Sequence, residues 1–246
     1  MIISLTTFIF FQLYGLFLER STYLYPKSCE AKLKTRWVNI FMSMTHSAIS
    51  SAGCVYCYVT NNHLFTDIIN QHTSFTLKVV AFSWGYFIHD LVHTLCNRKI
   101  SRSWDILLHH VVVVACFGIA MVQHRYVNFA CTSLFCEINS VTLHMRQLNK
   151  MAEYATCNST PWWKQQQTVV KGLNFLTYVL FRISTLAYMT WWLWKSRNEV
   201  GDIILLAGAA GLLIMNCINL VLFKRLFVAD VFATTTSTSS KTKKQD

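Results

Sequence analysis

Proline and charge are both scarce in this 246-residue chain. Pro26 and Pro161 are the only prolines, and 13% of residues are charged, where a soluble domain carries about a quarter. So little charge excludes an ordinary soluble domain. The alternating short segments of a membrane β-barrel are also missing. The nine cysteines show no metal-finger spacing. Cys54, Cys96, Cys116, Cys131, Cys136 and Cys217 lie in or beside apolar runs, where free cysteine packs as a small hydrophobe, so a disulfide framework is not expected. What the chain does have is apolar length: 53% hydrophobic residues and a mean hydropathy of +0.35, gathered in long charge-free runs. Only helices and closed barrels satisfy their backbones in lipid. The expected fold is therefore all-α, a multi-pass transmembrane bundle of six to seven helices.

The net charge of +11 raises a nucleic-acid reading, since basic patches bind phosphate. Its placement argues against nucleic acid as a partner. The cations fall between apolar segments, as cytoplasmic loops beside anionic headgroups require. Seven segments can be traced, at about 1–18, 37–59, 75–96, 106–123, 126–144, 168–194 and 203–223. Each is near the roughly 20 residues that span a bilayer, the first being short and terminal. It lacks the basic start and small-residue cleavage site of a signal peptide, so it is expected to be retained.

Arg20, Lys27, Lys32, Lys34 and Arg36 follow the first segment; Arg98, Lys99 and Arg102 the third; Arg146, Lys150 and Lys164 the fifth. Lys224, Arg225, Lys241, Lys243 and Lys244 follow the seventh, whereas the intervening loops are poor in Lys and Arg. Positive-inside logic puts the N-terminus outside and the C-terminus in the cytosol. The expected organisation is a first span and basic loop over 1–36, a transmembrane domain over 37–230, and a disordered basic tail over 231–246. Trp162, Trp163, Trp191, Trp192 and Trp194 cluster near segment ends, where indole rings anchor at the headgroups.

An ionisable group inside a span costs roughly 2.5–3.5 kcal/mol near the helix centre, so those that persist face a cavity or a partner. Here they are Asp90 with His89 and His93, the adjacent pair His109 and His110, Glu137 with Asn139 and His144, and Arg182. His89 and His93 share a helical face, whereas His109 and His110 diverge by about 100° and cannot both reach one atom. One of that pair is expected to face the bundle interior. Three chemistries could use such a set: general acid–base catalysis by histidine and carboxylate, metal binding at His89 and His93, or a structural hydrogen-bonded network. HDLVH is a single pair without repeated histidine boxes, so no metal site is assigned, and no cofactor is expected. Arg182 is expected to pair with Asp90 or Glu137, or to bind a lipid phosphate.

The stretches WVNIFMSMTHSAIS (37–50), WGYFIHDLVHTL (84–95), SWDILLHHVVVVACFGIA (103–120), SLFCEINSVTLHMRQL (133–148) and LNFLTYVLFRIS (173–184) resemble the TLC-domain family, which includes the ceramide synthases. In order and spacing the resemblance covers about 37–230. The pattern GYF-x-x-D, WD-x-L-x-HH and EINS-x-x-LH-x-R is most similar to the branch implicated in plasma-membrane phospholipid composition and fluidity. The resemblance implies a helix bundle around a lipid-accessible cavity, and membrane phospholipids, acyl chains or acyl-CoA as partners. It places His109 and His110 at the histidine pair of the synthases' acyl-transfer site and Asp90 at the acidic residue of GYF-x-x-D. Glu137 stands where the synthases carry paired aspartates, and this chain has no such pair. The expected catalytic set is thus His109, His110, Asp90 and Glu137, with Arg182, Asn139 and His144 contacting substrate. The expected function is control of phospholipid acyl composition and membrane fluidity, with an acyltransferase of ceramide-synthase type as the alternative. The plasma membrane is the expected compartment, with the endoplasmic reticulum as the alternative.

Overall fold

A computed structural model of the chain describes residues 1–21, 31–97, 100–156 and 160–242; within these, the side chains of 31–32, 100–103, 154–156, 161 and 229–242 are outside the description. Lys27, Lys32, Arg98, Lys99, Arg102, Lys241, Lys243 and Lys244, counted above as loop charges, therefore lie outside the described residues or side chains. Among the described residues the chain is all-helical and forms seven rods. They are α1 (Ile2–Arg20), α2 (Ala31–Thr60), α3 (Ser74–Asn97), α4 (Ile100–Gln123), a broken rod of α5 (Val127–Ser133) and α6 (Cys136–Thr156), a second composite rod, and α9 (Asp202–Thr242). The second composite is α7 (Pro161–Thr177), a π-helical turn (Tyr178–Ile183) and α8 (Ser184–Lys195). The all-α multi-pass bundle is the observed fold. The backbone of α9 runs as helix to Thr242, into the stretch expected to be disordered.

Local chemistry explains the rod ends. Pro161 opens α7 at a position where its missing N–H would have no partner, and the Thr160 hydroxyl accepts from the Trp163 N–H as a cap. The three-residue connection from α4 to α5 holds His124 and Tyr126 at positive φ, 51° and 67°. Contacts hold that turn in place: Tyr126 N–H donates to Ile69 O at 2.9 Å. Arg125 Nε and Nη2 donate to Asn70 Oδ1 and Glu199 O at 2.9 and 3.1 Å.

Residues 61–73, 124–126 and 196–201 thus meet at one end, here the distal end. At the opposite, basic end, Arg225 of α9 pairs with Asp105 of α4 at 2.6 Å. Seven rods of alternating direction produce this distribution of ends. Cation–π contacts of Lys195 with Trp192 (4.6 Å) and Arg197 with Trp194 (4.6 Å) decorate the distal end.

The packing order α2, α3, α4, α9, α7–α8, α6 and back to α2 closes a ring of six rods. The seventh, α1, lies outside the ring against α2 and α3, which reconciles six helices with seven. Its seat is tight: a Cβ on Gly85 of α3 would stand 2.2 Å from the Ser4 carbonyl oxygen. Ile2, Leu5, Leu13 and Leu16 on its other side are exposed, as a lipid-facing surface requires. The short α5 contacts α3, α4 and α8 and plugs the distal end of the ring.

Ile2–Arg20, Trp104–Gln123, Trp162–Lys195 and Asp202–Val228 are long and apolar enough to cross a membrane. The rods α2, α3 and α6 are long enough as well but carry most of the buried polar side chains. The described cysteines are free, including Cys54 and Cys57, which stand in a C-x-x-C spacing and are buried on α2.

Candidate functional site

The ring encloses a polar cavity of about 300 Å³ toward the basic end. Each rod contributes through its own periodicity. From α2 come Asn39, Ser43, His46 and Ser47, spaced four, three and one residue apart on one face. From α3 come Tyr86, Phe87, Asp90 and Thr94, and from α4 Asp105, His109 and His110. Glu137, Ser140, His144 and Gln147 of α6 follow a three, four, three spacing, and Arg182 projects from the π-helical turn.

The groups are held in pairs. Asp90 and His110 are both buried, with His110 Nε2 3.0 Å from Asp90 Oδ2. Ser47 Oγ donates to Glu137 Oε2 at 2.5 Å, so α2 supplies the partner of the α6 carboxylate. Tyr86 OH donates to Ser43 Oγ at 2.8 Å, and the His46 ring stacks on Tyr86 with centroids 3.9 Å apart. Arg182 Nη2 donates to Ser140 Oγ at 2.8 Å and Nη1 to Asn219 Oδ1 at 3.1 Å. Both partners are neutral, and the buried Nε has no hydrogen-bond partner among the described residues. A guanidinium is a fixed cation with a planar fork suited to carboxylate or phosphate. A permanent charge met by neutral acceptors inside a span is the strongest anion-binding feature of this site.

A second, apolar chamber of about 120 Å³ continues toward the distal end between α4, α5, α8 and α9. Val112, Cys116, Phe129, Met189 and Leu212 are among its walls, and α5 is its floor. Phe87, His109, Glu137 and Arg182 line both chambers and so form the boundary between them. A charged or hydrogen-bonding group can be held at that boundary with a hydrocarbon tail in the apolar chamber.

The structure brings Asp90, His109, His110, Glu137, His144 and Arg182 to one cavity. Both members of the histidine pair line it, since the 100° between them directs His110 to Asp90 and His109 to the boundary. The structure departs from the sequence reading at three residues. Arg182 makes no ion pair with Asp90 or Glu137 among the described residues; its Nη atoms donate to Ser140 and Asn219, while the two carboxylates meet His110 and Ser47. Glu137 is not halfway along a continuous helix. The rod breaks at Leu134–Phe135, where i→i+3 turns carry the backbone bonds, and Glu137 sits in the first turn of α6. The positive end of the helix dipole favours a carboxylate there.

Asn139 does not line the cavity; its amide donates to Asn174 O at 3.0 Å and Thr177 Oγ1 at 3.1 Å, fastening α6 to α7. His89 and His93 also point elsewhere: the His89 ring packs against Phe8 and Phe11 of α1. No group of three His, Cys, Asp or Glu side chains among the described residues could hold a metal ion. His46, Ser43, Ser47 and Tyr86 belong to the site and were not singled out from sequence. The signal was the polar stripe Asn39, Ser43, His46, Ser47, Ser50 at helical spacing in an otherwise apolar run.

The sequence model described as the TLC domain matches residues 36–228. TLC domain-containing protein 2 of Danio rerio is 43% identical over 195 residues, 79% of this chain and 76% of the relative. The Homo sapiens protein of that name is 31% identical over 206 residues, 84% and 75% of the two chains. TLC domain-containing protein 1 of Gallus gallus is 27% identical over 197 residues, 80% and 75%.

Proposed function

Because this chain belongs to the TLC-domain family, whose model spans 36–228, we propose that it controls which acyl chains enter membrane phospholipids, and through them membrane fluidity. The observation that carries this reading is the boundary between the two chambers. There His109, Glu137 and Arg182 stand where a polar cavity of about 300 Å³ meets an apolar one. Such a site accepts an amphiphile: an anionic or ester group at Arg182 and an acyl tail toward Phe129 and Met189. The plasma membrane is the compartment this reading assigns, with the endoplasmic reticulum as the alternative that localisation of the tagged full chain decides. The test is removal of the protein followed by phospholipid acyl-chain profiling on a polyunsaturated fatty-acid challenge. A shifted profile restored by the wild-type chain is the expected result, and an unchanged profile sinks the reading.

A second reading, direct acyl transfer, is favoured by the 3.0 Å approach of His110 to Asp90. Here the histidine takes the proton of an acceptor hydroxyl or amine, and the freed heteroatom attacks the thioester carbonyl of an acyl-CoA. The C–S bond breaks, and the imidazolium returns its proton to the leaving thiolate. Asp90 holds the imidazole and stabilises its charged form. Purified protein given acyl-CoA and candidate acceptors should form product, and His110→Ala should not. Equal turnover by a variant lacking both His109 and His110 removes the catalytic role and leaves binding alone.

A further inference from the structure

Apart from the ring cavity, α6 and α7 enclose a separate space of about 200 Å³ at the basic end, lined by Arg146, Asn149, Lys150, Glu153, Gln167, Val170 and Lys171. We propose that it is a binding site for the phosphate of an anionic phospholipid headgroup. Arg146, Asn149, Lys150 and Glu153 are spaced three, one and three apart, and Gln167, Val170 and Lys171 three and one. Each set forms one helical face, and the two faces oppose each other. Gln147, which lines the ring cavity, lies on another side of α6, so the two sites are distinct.

Charge and depth identify the ligand. Among the described side chains Lys150 of α6 and Lys171 of α7 both line the space, a pair of cations that complements a lipid phosphate. Gln167 Nε2 donates to Glu153 Oε2 at 2.7 Å, which turns the one carboxylate among the described lining residues toward an amide. The rod Trp162–Lys195 has 34 residues, more than the roughly 20 that cross the hydrocarbon, so its first turns project beyond it. Lys171 stands eleven residues before the mid-span Arg182, about 16 Å along the axis. Half the hydrocarbon thickness is about 15 Å, which puts the Lys171 ammonium at the level of the lipid phosphates. A lipid phosphate reaches this space from the leaflet beside it.

The test is binding of fluorescent phosphatidic acid to the purified full chain reconstituted in phosphatidylcholine nanodiscs, alongside competition by soluble glycerol 3-phosphate. Phosphatidic acid should bind in preference to labelled phosphatidylcholine, and the double variant Lys150→Gln/Lys171→Gln should weaken that binding by about fivefold per lysine removed. The arginine double variant Lys150→Arg/Lys171→Arg should restore it, which separates charge recognition from misfolding. Lys164→Gln removes an exposed cation outside the space and should change little, whereas Glu153→Gln should tighten binding. An effect of Lys164→Gln equal to that of the double variant would reduce the result to general surface charge and overturn the site. Glycerol 3-phosphate displacing the lipid at equal affinity would overturn the assignment to a membrane ligand. The ring-cavity function does not enter these readouts.

Discussion

Replacing Gly85 by alanine tests whether α1 is built into the bundle or only rests against it. A Cβ at that position would meet the Ser4 carbonyl oxygen at 2.2 Å, the Ser4 carbonyl carbon at 2.9 Å and Thr7 Cβ at 2.9 Å. Carbon and carbonyl oxygen rest no closer than about 3.3 Å in C–H···O contacts, so α1 must recede by about 1 Å. The obstacle is backbone, which no rotamer change can relieve. A gap of 0.5–1 Å forfeits a quarter to a half of each dispersion well along the α1–α3 seam, and overpacking of this kind costs about 1–3 kcal/mol. The loss should fall in the upper part of that range. Phe11, fully buried, packs on Tyr86 at 4.7 Å and moves with α1. On the scale of soluble domains of this size, the midpoint of thermal unfolding drops by about 5–10 °C. The assay is tryptophan fluorescence on heating in detergent micelles, with Gly172→Ala as the matched control. Gly172 has no atom within 4 Å of a built Cβ, so its alanine variant should unfold at or above the wild-type midpoint. Equal midpoints for Gly85→Ala and the wild type would refute close packing of α1.

Ser47→Ala removes the hydroxyl that donates to Glu137 at 2.5 Å and leaves a carboxylate without that partner, which should destabilise the bundle by about 1.5–3 kcal/mol in a detergent unfolding titration. Arg182→Met should abolish rescue of the phospholipid profile in cells lacking the protein while the variant still purifies as a folded monodisperse species; full rescue would remove Arg182 from the ligand site. For Asp67, in the distal loop, burial alone raises the carboxyl pKa. The backbone and side-chain N–H groups of Asn70, the Ile69 N–H and the Arg125 charge outweigh it, leaving the pKa below the ordinary carboxylate value. A group whose folded pKa is depressed contributes stability above its unfolded pKa and loses it as pH falls through the folded one. The unfolding midpoint should therefore drop as the medium is acidified below about pH 4, and Asp67→Asn should flatten that part of the profile.

The seven rods were legible because a helix that meets lipid must be apolar over about 20 residues, and the cations that interrupt such runs mark the ends. The existence of a polar site was legible too: Asp90, His110, Glu137 and Arg182 are costly inside a membrane and so needed partners. Who partners whom was not. The His110–Asp90 contact depends on the register between α3 and α4, and the Ser47–Glu137 bond joins residues 90 positions apart, which packing alone decides. The break before Glu137 has no proline or glycine to announce it, since the sequence there reads TSLFCEIN. Asn139 shows what residue type conceals and angle reveals. Two residues beyond Glu137 is about 200° around the helix, which turns its amide away from the cavity and toward α7.

The division of labour among the rods explains how one bundle can be lipid-soluble outside and polar within. The membrane-spanning stretches in α4, α8 and α9 supply most of the wall of the apolar chamber, whereas α2, α3 and α6 turn their polar faces inward. Between α4 and α9 the wall is thin: a Cβ on Gly211 would stand 3.3 Å from Cys116 Sγ, so the backbone of α9 lies close against α4. The two rods are joined again at the mouth of the polar chamber by Asp105 and Arg225, whose side chains are 15% and 61% exposed. An ion pair with so exposed a cation contributes at most about 1 kcal/mol. Closure at the mouth is therefore weak compared with the packed seam below it. From that mouth inward the lining passes from the Asp105–Arg225 pair through the histidines to His109, Glu137 and Arg182, where the apolar chamber begins.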